Sequence, residues 1–295
     1  MRDGPAFADW SRERQQRIEG VLASLLPGDT APSPRLASAM RYATLGGGKR
    51  VRPLLAYAAS ELTGAQPAQA DASAAAVELI HAYSLIHDDL PCMDDDSLRR
   101  GKPTCHVAYD VPTALLAGDA LQSLAFSVLG GSARPAVGDA CVLLAEAAGY
   151  AGMAGGQQLD LDATGKAPDI ASLTQLHSLK TGALIRAAVQ LGARCGRRVT
   201  DEEVRALDRY ARAAGLAFQV IDDVLDVEGS SASLGKTAGK DAAQNKATFV
   251  ALLGVDGARR HARSLHGDAV EALAPFGGAA RRLSELLDWI VLRTS

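Results

Sequence analysis

Two clusters of aspartates carry the strongest chemical signal in this chain. The first lies in "HDDLPCMDDDS", residues 87–97, where Asp88, Asp89, Asp94, Asp95 and Asp96 fall within nine positions. The second is "FQVIDDVLD", residues 218–226, with Asp222, Asp223 and Asp226. Oxygen-only ligands favour a hard cation, Mg²⁺ or Ca²⁺, over zinc. The sequence lacks the glycine-centred loop of an EF-hand, whereas Mg²⁺ takes one or two carboxylates, keeps waters and accepts phosphate oxygens. The chemistry this implies is a polyphosphate held through Mg²⁺ between two acidic walls.

Spacing decides which carboxylates can cooperate. Asp222 and Asp226 are one helical turn apart and share a face, while Asp223 points about 100° away. A solvated helix face is the plainer reading, but the neighbours Phe218, Val220, Ile221, Val224 and Leu225 are apolar. Asp88 and Asp94 would face apart on a regular helix, by about 240°. Pro91 removes a backbone donor and clashes with the carbonyl of His87, so the helix must bulge or end there. Two residues looped out would convert the six-residue spacing into an effective four and return Asp94 to the face of Asp88.

A phosphate also needs cations. "LGGGKRVRP", residues 45–53, has three glycines that free the backbone to approach an anion, followed by Lys49, Arg50 and Arg52. It is not a Walker A loop, since Ala43 stands where the first glycine should and Arg50 replaces the Ser/Thr. In "LRRGKPT", Arg99 and Arg100 offer planar forks for phosphate. Lys180 and Thr181 interrupt the apolar helix "HSLKTGALIR", and Lys236, Lys240 and Lys246 lie in "GKTAGKDAAQNK". A lone histidine on a helix is usually structural, but His81 stands two turns before Asp88 on nearly the same face, which shifts the reading toward a phosphate contact.

The elements that must position these groups are helices. Hydrophobic residues make up 47% of the 295 residues and aromatics only 4%, with alanine abundant. Small apolar residues at that density suit closely packed helices and poorly suit a sandwich or barrel. The spacing predicts helices over 8–25, 34–44, 50–63, 68–90, 111–130, 135–154, 170–194, 200–227, 246–253, 257–274 and 278–292. Thr200 and Glu203 form a capping box. No linker separates two compositions, so residues 1–295 are read as one domain. A net charge of -3 without a basic block gives no sign of nucleic acid. The four cysteines stand far apart, which fits a reducing cytosol. The N-terminus has no apolar core of a signal peptide, and no apolar run approaches the ~20 residues of a bilayer span. The expectation is a cytoplasmic protein.

The motifs "GGKRVRP", "DDLPCMD" with "LRRGKPT", "GGQQLDLD", "LKTGALI" and "FQVIDDVLD" occur in an order that resembles the short-chain trans-prenyltransferases, the isoprenyl diphosphate synthases of the polyprenyl synthetase family. The resemblance runs from about residue 35 to 254 and is greatest to the bacterial members that make farnesyl diphosphate. It implies an all-α, single-domain bundle of about ten or more helices around a central cavity, of the isoprenoid synthase type, and a homodimer. It implies head-to-tail condensation of isopentenyl diphosphate with the allylic dimethylallyl and geranyl diphosphates. The cofactor would be Mg²⁺, three ions per site, with Mn²⁺ as a substitute.

The resemblance also implies roles. Asp88 and Asp94, with Asp89, match the ligands of two ions, and Asp222, with Asp226, that of a third. Arg99, Lys180 and Lys236 match allylic diphosphate contacts. Lys49, Arg52, His81 and Arg100 match the isopentenyl diphosphate site, and Lys246 is a further substrate contact. Thr181 and Gln219 would line the reacting carbon, and with Lys180 form the catalytic set. The glycine-rich segment 229–246 would close over the site. Tyr83, about 7.5 Å further down the helix from Asp88, would floor the hydrocarbon pocket beside Ser84, the farnesyl (C15) pattern. The chain departs from the family in Lys246-Ala247-Thr248-Phe249-Val250 and in its short tail "VLRTS", which bears on closure. Alternatives are a geranylgeranyl diphosphate synthase, a class I terpene cyclase, and a non-catalytic subunit of a heteromeric prenyltransferase. The intact "GGKRVRP" and the two complete aspartate motifs weigh against the last two.

Overall fold

A computed structural model describes residues 6–28, 30–132, 136–166, 168–228 and 248–292. In chain order the helices are α1 (Phe7–Leu25), α2 (Pro34–Thr44), α3 (Val51–Leu62), α4 (Pro67–Asp88), the short α5 (Cys105–Ala108), α6 (Val111–Gly130), α7 (Val137–Ala148), α8 (Met153–Ala163), α9 (Ile170–His177), α10 (Ala183–Ala193), α11 (Asp201–Glu228), α12 (Phe249–Leu273) and α13 (Arg281–Val291). The fold is all-α. Its only strands among the described residues are β1 (Leu98–Arg99) and β2 (Lys102–Pro103), an antiparallel hairpin. Arg100 and Gly101 both have positive φ at its tip, the requirement of a two-residue hairpin turn.

Alanine and glycine set the closeness of the central helices. Ala74, Ala75 and Ala76 of α4 are fully buried against α3, α6 and α10. At Gly192 of α10 a Cβ would stand 2.1 Å from the carbonyl oxygen of Ala56 in α3. The capping box starts α11 as expected: the Thr200 N–H donates to Glu203 at 2.8 Å and the Glu203 N–H to Thr200 Oγ1 at 3.2 Å.

Several boundaries differ from the sequence expectation, each at a glycine, a proline or a change of winding. The single helix expected over 135–154 is α7, and α8 follows it after the turn at Gly149 and Gly152. The helix expected over 170–194 is α9 and α10 joined by one π turn, Ser178–Gly182. The two helices expected on either side of residue 255 are present as the two arms of α12, separated at Gly254, whose φ of 68° and ψ of 165° are not helical. α4 ends at Asp88, so Pro91 terminates the helix and does not bulge it.

One expectation is overturned. α6 is apolar over 20 residues, long enough to cross a bilayer by length and composition, and so is the stretch 137–163. About a third of each is buried within the bundle. α6 lies against α4, α2, α5 and α7, while Val111, Leu115 and Leu116 of α6, Val142 of α7 and Tyr150 beyond it are exposed.

Candidate active site

A cavity of about 870 Å³ opens between the glycine loop before α3, the C-terminal half of α4, the hairpin, α8, the π turn and α11. Asp88 lines it from α4 and Asp222 from α11. Beyond Asp88 the chain makes two extra steps before the Asp94 N–H donates to the Asp88 carbonyl at 2.9 Å. In an uninterrupted helix that bond belongs to the residue four further on; α4 has ended here, and Asp94, unlike Asp88, is not among the residues lining the cavity. The N–H groups of Asp95 and Asp96 bond back to Leu90 and Asp89. Burial pushes the Asp88 carboxyl up to about 6, with Lys180 opposing and the neighbouring Asp94 and Asp89 adding to the rise.

Asp89 is turned elsewhere. It is buried and accepts both Nε and Nη2 of Arg99 at 2.6–2.9 Å. It does not line the cavity, and its carboxylate braces Arg99. Asp226 is buried and does not line the cavity either. Asp223, which the sequence argument set aside, is buried behind Asp222 and accepts the Phe249 N–H at 2.8 Å and the Gln219 Nε2–H at 3.0 Å.

The basic wall stands on the same cavity, with Lys49, Arg52, Arg99, Arg100 and Lys180 lining it. Gly46, Gly47 and Gly48 all have positive φ, a conformation open to glycine at little cost. The tight path lets the Arg100 guanidinium lie on the loop, donating to the Gly47 carbonyl at 2.6 Å. A Cβ on Gly48 would stand 2.6 Å from that guanidinium. Arg50, read as one of three phosphate-side bases, is buried instead. It binds Glu19 of α1 at 2.7 Å, Glu78 of α4 at 2.6 Å and the Thr44 carbonyl at 2.7 Å, pinning the loop to three helices. Burial lowers the Arg52 guanidinium from its ordinary value, against Glu78 and Asp222. Its Nε has no hydrogen-bond partner among the described residues. His81 is held well below the ordinary histidine range by burial, with Arg52 and Arg100 adding to the effect.

On the third side, the π turn carries Lys180 and Thr181 into the cavity. Wide turns of this kind recur at functional sites because they re-aim side chains. A Cβ on Gly156 of α8 would meet the Lys180 backbone nitrogen at 2.1 Å, so α8 packs directly on the turn. Asp160 of α8 then reaches Lys180 Nζ at 2.6 Å. The Thr181 hydroxyl donates to Gln219 Oε1 at 3.3 Å. Asp160 and Asp223 were missed in the sequence: each is an aspartate among others, and only the fold gives it its partner. Gln157 and Gln158 also line the cavity.

Tyr83 and Ser84 line the cavity. The Tyr83 ring is largely buried, and burial raises its hydroxyl above the ordinary value, with Gln122 of α6 opposing. Ser84 donates to the His81 carbonyl at 2.9 Å. Lys236, Lys240, Lys246 and the expected closing segment 229–246 lie outside the described residues. Thr248 caps α12, accepting the Ala251 N–H at 3.1 Å, and Phe249 is fully buried.

Helices wrapped around one cavity that has an acidic and a basic wall define a protein of the isoprenoid synthase type. Residues 33–272 match the polyprenyl synthetase family, and the chain belongs to that family. It is 50% identical over 290 residues to the farnesyl diphosphate synthase of Escherichia coli (strain K12), with 96% of each chain covered. A solved FPP/GFPP synthase from Zymomonas mobilis superposes with a TM-score of 0.87 at 42% identity, covering 97% of this chain and 99% of that one. A geranyltransferase from Helicobacter pylori, solved with magnesium and isoprenyl diphosphate, does so with a TM-score of 0.85 at 32% identity over 99% and 98% of the two chains.

Proposed function

We propose that this protein condenses isopentenyl diphosphate with dimethylallyl and then geranyl diphosphate to give farnesyl diphosphate. The observation that carries the reading is the convergence of Asp88, Asp222, Lys180, Arg52 and Lys49 on one cavity that Tyr83 also lines. A diphosphate fits the polar end of such a space and an isoprenoid chain its apolar end.

Mg²⁺ fits the donors present. No group of three acidic, histidine or cysteine side chains among the described residues could cage an ion by itself. The ion would therefore complete its shell with diphosphate oxygens and water, the habit of Mg²⁺. Asp88 and Asp94 on one wall and Asp222, with Asp226, on the other would hold it, in three copies, with Mn²⁺ able to substitute. Bound there, it supplies positive charge to the leaving diphosphate.

The chain's own groups do the rest. Lys180 and Arg99, with Lys236 from the undescribed segment, hold the allylic diphosphate as its C1–O bond breaks and the electron pair leaves with it. Lys49, Arg52, Arg100 and His81 hold isopentenyl diphosphate, with Lys246 as a further contact. The isopentenyl double bond attacks the allylic cation, and the departed diphosphate takes the proton that is lost. Thr181 and Gln219 present oxygen dipoles to the cation.

The exposed apolar face of α6 and α7 supports a homodimer, since burying it against a second copy removes it from water. The dimer would be a cytoplasmic enzyme. A geranylgeranyl product is the second reading, and Tyr83 across the channel weighs against it. Incubating the pure chain with isopentenyl and dimethylallyl diphosphates and Mg²⁺ tests the proposal. A C15 product supports it, and the absence of any prenyl product refutes it.

A further inference from the structure

His87 couples the channel to α6 through a contact that the chemistry of condensation does not require. It stands one turn beyond Tyr83 on α4, and the two rings meet edge-on with centroids 5.6 Å apart and planes at 76°. On its other side the imidazole rests on the α6 backbone. Its Nε2 is 3.0 Å from the Leu115 carbonyl and 3.9 Å from Asp119. A carbonyl only accepts, so Nε2 carries the proton.

The ring comes this close because residue 118 has no side chain. A Cβ there would stand 2.1 Å from Nε2 and 2.4 Å from Cδ2. Glycine inside a 20-residue helix weakens it relative to alanine. What position 118 gains in return is room for the imidazole. Tyr83, Ser84, His87 and Asp88 all line the cavity, which places His87 on the wall between the diphosphate end and the Tyr83 ring.

We propose that the Gly118–His87 contact is a determinant of product length. With glycine at 118 the imidazole lies back against α6, the lane past it stays open, and its edge holds the Tyr83 ring in place. A side chain at 118 drives the imidazole off α6 and into the lane. The inference rests on the elongation reading above and adds a residue pair that sets how far elongation runs.

The test compares wild type, Gly118→Ala, His87→Ala and the double variant of the full chain. Each is incubated with isopentenyl and dimethylallyl diphosphates and Mg²⁺, and the prenyl alcohols are separated by length after dephosphorylation. Thermal melts accompany every variant. In Gly118→Ala the ratio of C10 to C15 product should rise by about tenfold, the scale of one misplaced group in an apolar pocket. In His87→Ala the distribution should move toward C20. In the double variant there is no ring to displace, so its products should match those of His87→Ala while its melting temperature rises with the added alanine. Unchanged or lengthened products in Gly118→Ala overturn the proposal, as does a C10 shift that persists in the double variant. Should Gly118→Ala fail to fold, unchanged products in His87→Ala overturn it alone. A wild type that stops at a length other than C15 refutes the farnesyl reading only, because the inference is read as a shift from wild type. A wild type that makes no prenyl product refutes both.

Discussion

Asp223 holds the backbone N–H of Phe249 on one carboxylate oxygen, at 2.8 Å, and the side-chain amide of Gln219 on the other, at 3.0 Å. A carboxylate only accepts, so it fixes Gln219 with its nitrogen toward Asp223 and its oxygen toward Thr181. The hydroxyl of Thr181 then donates to Gln219, leaving its lone pairs for the reacting carbon. In Asp223→Asn the new amide can still accept from Phe249 but must donate toward Gln219. Gln219 flips, and the Thr181 proton is turned into the cavity. We expect turnover to fall about tenfold, as for a weakened electrostatic contact, with both KM values nearly unchanged. Asp223→Ala should also cost about 1–3 kcal/mol of stability, because the buried Phe249 N–H loses its acceptor. Wild-type turnover in Asp223→Asn would mean that this chain of bonds has no part in catalysis.

Asp88 and Asp222 face the cavity from two helices. Alanine at either position should lower turnover by orders of magnitude while the protein stays folded, since each is proposed to hold an ion that acts only as charge develops. Steady-state rates with near-normal turnover in either variant would remove that residue from the metal site.

The carboxyl of Asp88 also makes a statement about stability. Its folded value of about 6 lies above the unfolded 3.8. The folded state therefore binds more protons in that window, and stability falls as pH rises through it, with the full penalty present above pH 6. In metal-free protein Asp88→Asn should raise stability by about 2 kcal/mol at pH 8, after allowance for partial exposure, and hardly at all near pH 4. Denaturation midpoints that shift equally at both pH values would show that the carboxylate is not strained.

His177 has the opposite sign. It is buried beside Phe249, and burial lowers it to about 4 from 6.5. Its contribution is whole above pH 6.5 and is lost as pH falls toward 4, because the unfolded chain binds the proton more readily. His177→Gln should flatten the acid limb of the stability curve between those values. A wild-type acid limb in that variant would place the titration on another group.

Much of this site was legible because its signals are local. That the chain must leave the helix around Pro91 is a local signal: α4 ends at Asp88, and the Asp94 N–H closes back on the Asp88 carbonyl. The capping box at Thr200 is equally local. What stayed hidden depends on partners distant in sequence. Arg50 reads like its neighbours Lys49 and Arg52, and only Glu78, 28 residues away, makes it a buried strut. Asp89 reads like Asp88 until the hairpin returns Arg99 to it. The bounds of α6 were read correctly, but its apolarity was not: Asp119 and several small residues interrupt its apolar run without breaking its helix.

Lys49 lies on the glycine loop, across the cavity from the π turn that bears Lys180. Lys49→Ala should raise KM for isopentenyl diphosphate more than for the allylic substrate, by about tenfold for one charged hydrogen bond lost. Equal effects on both substrates would move the loop to the other side of the reaction.

Tyr83 offers the most direct reading of product length. Its ring is buried and meets His87 edge-on, with centroids 5.6 Å apart. A prenyl chain growing from the diphosphate end along α4 meets that ring about 7.5 Å below Asp88, by helix rise. Tyr83→Ala removes the ring and leaves space that a further isoprene unit can enter. The expected result is a shift from C15 toward C20 or longer, with some loss of stability from the truncation. Tyr83→Phe keeps the ring and loses only the hydroxyl, so its product should remain C15. If the ring merely fills the interface between α4 and α6, Tyr83→Ala will lose stability and still stop at C15, and the floor of the channel must then be sought on a facing helix.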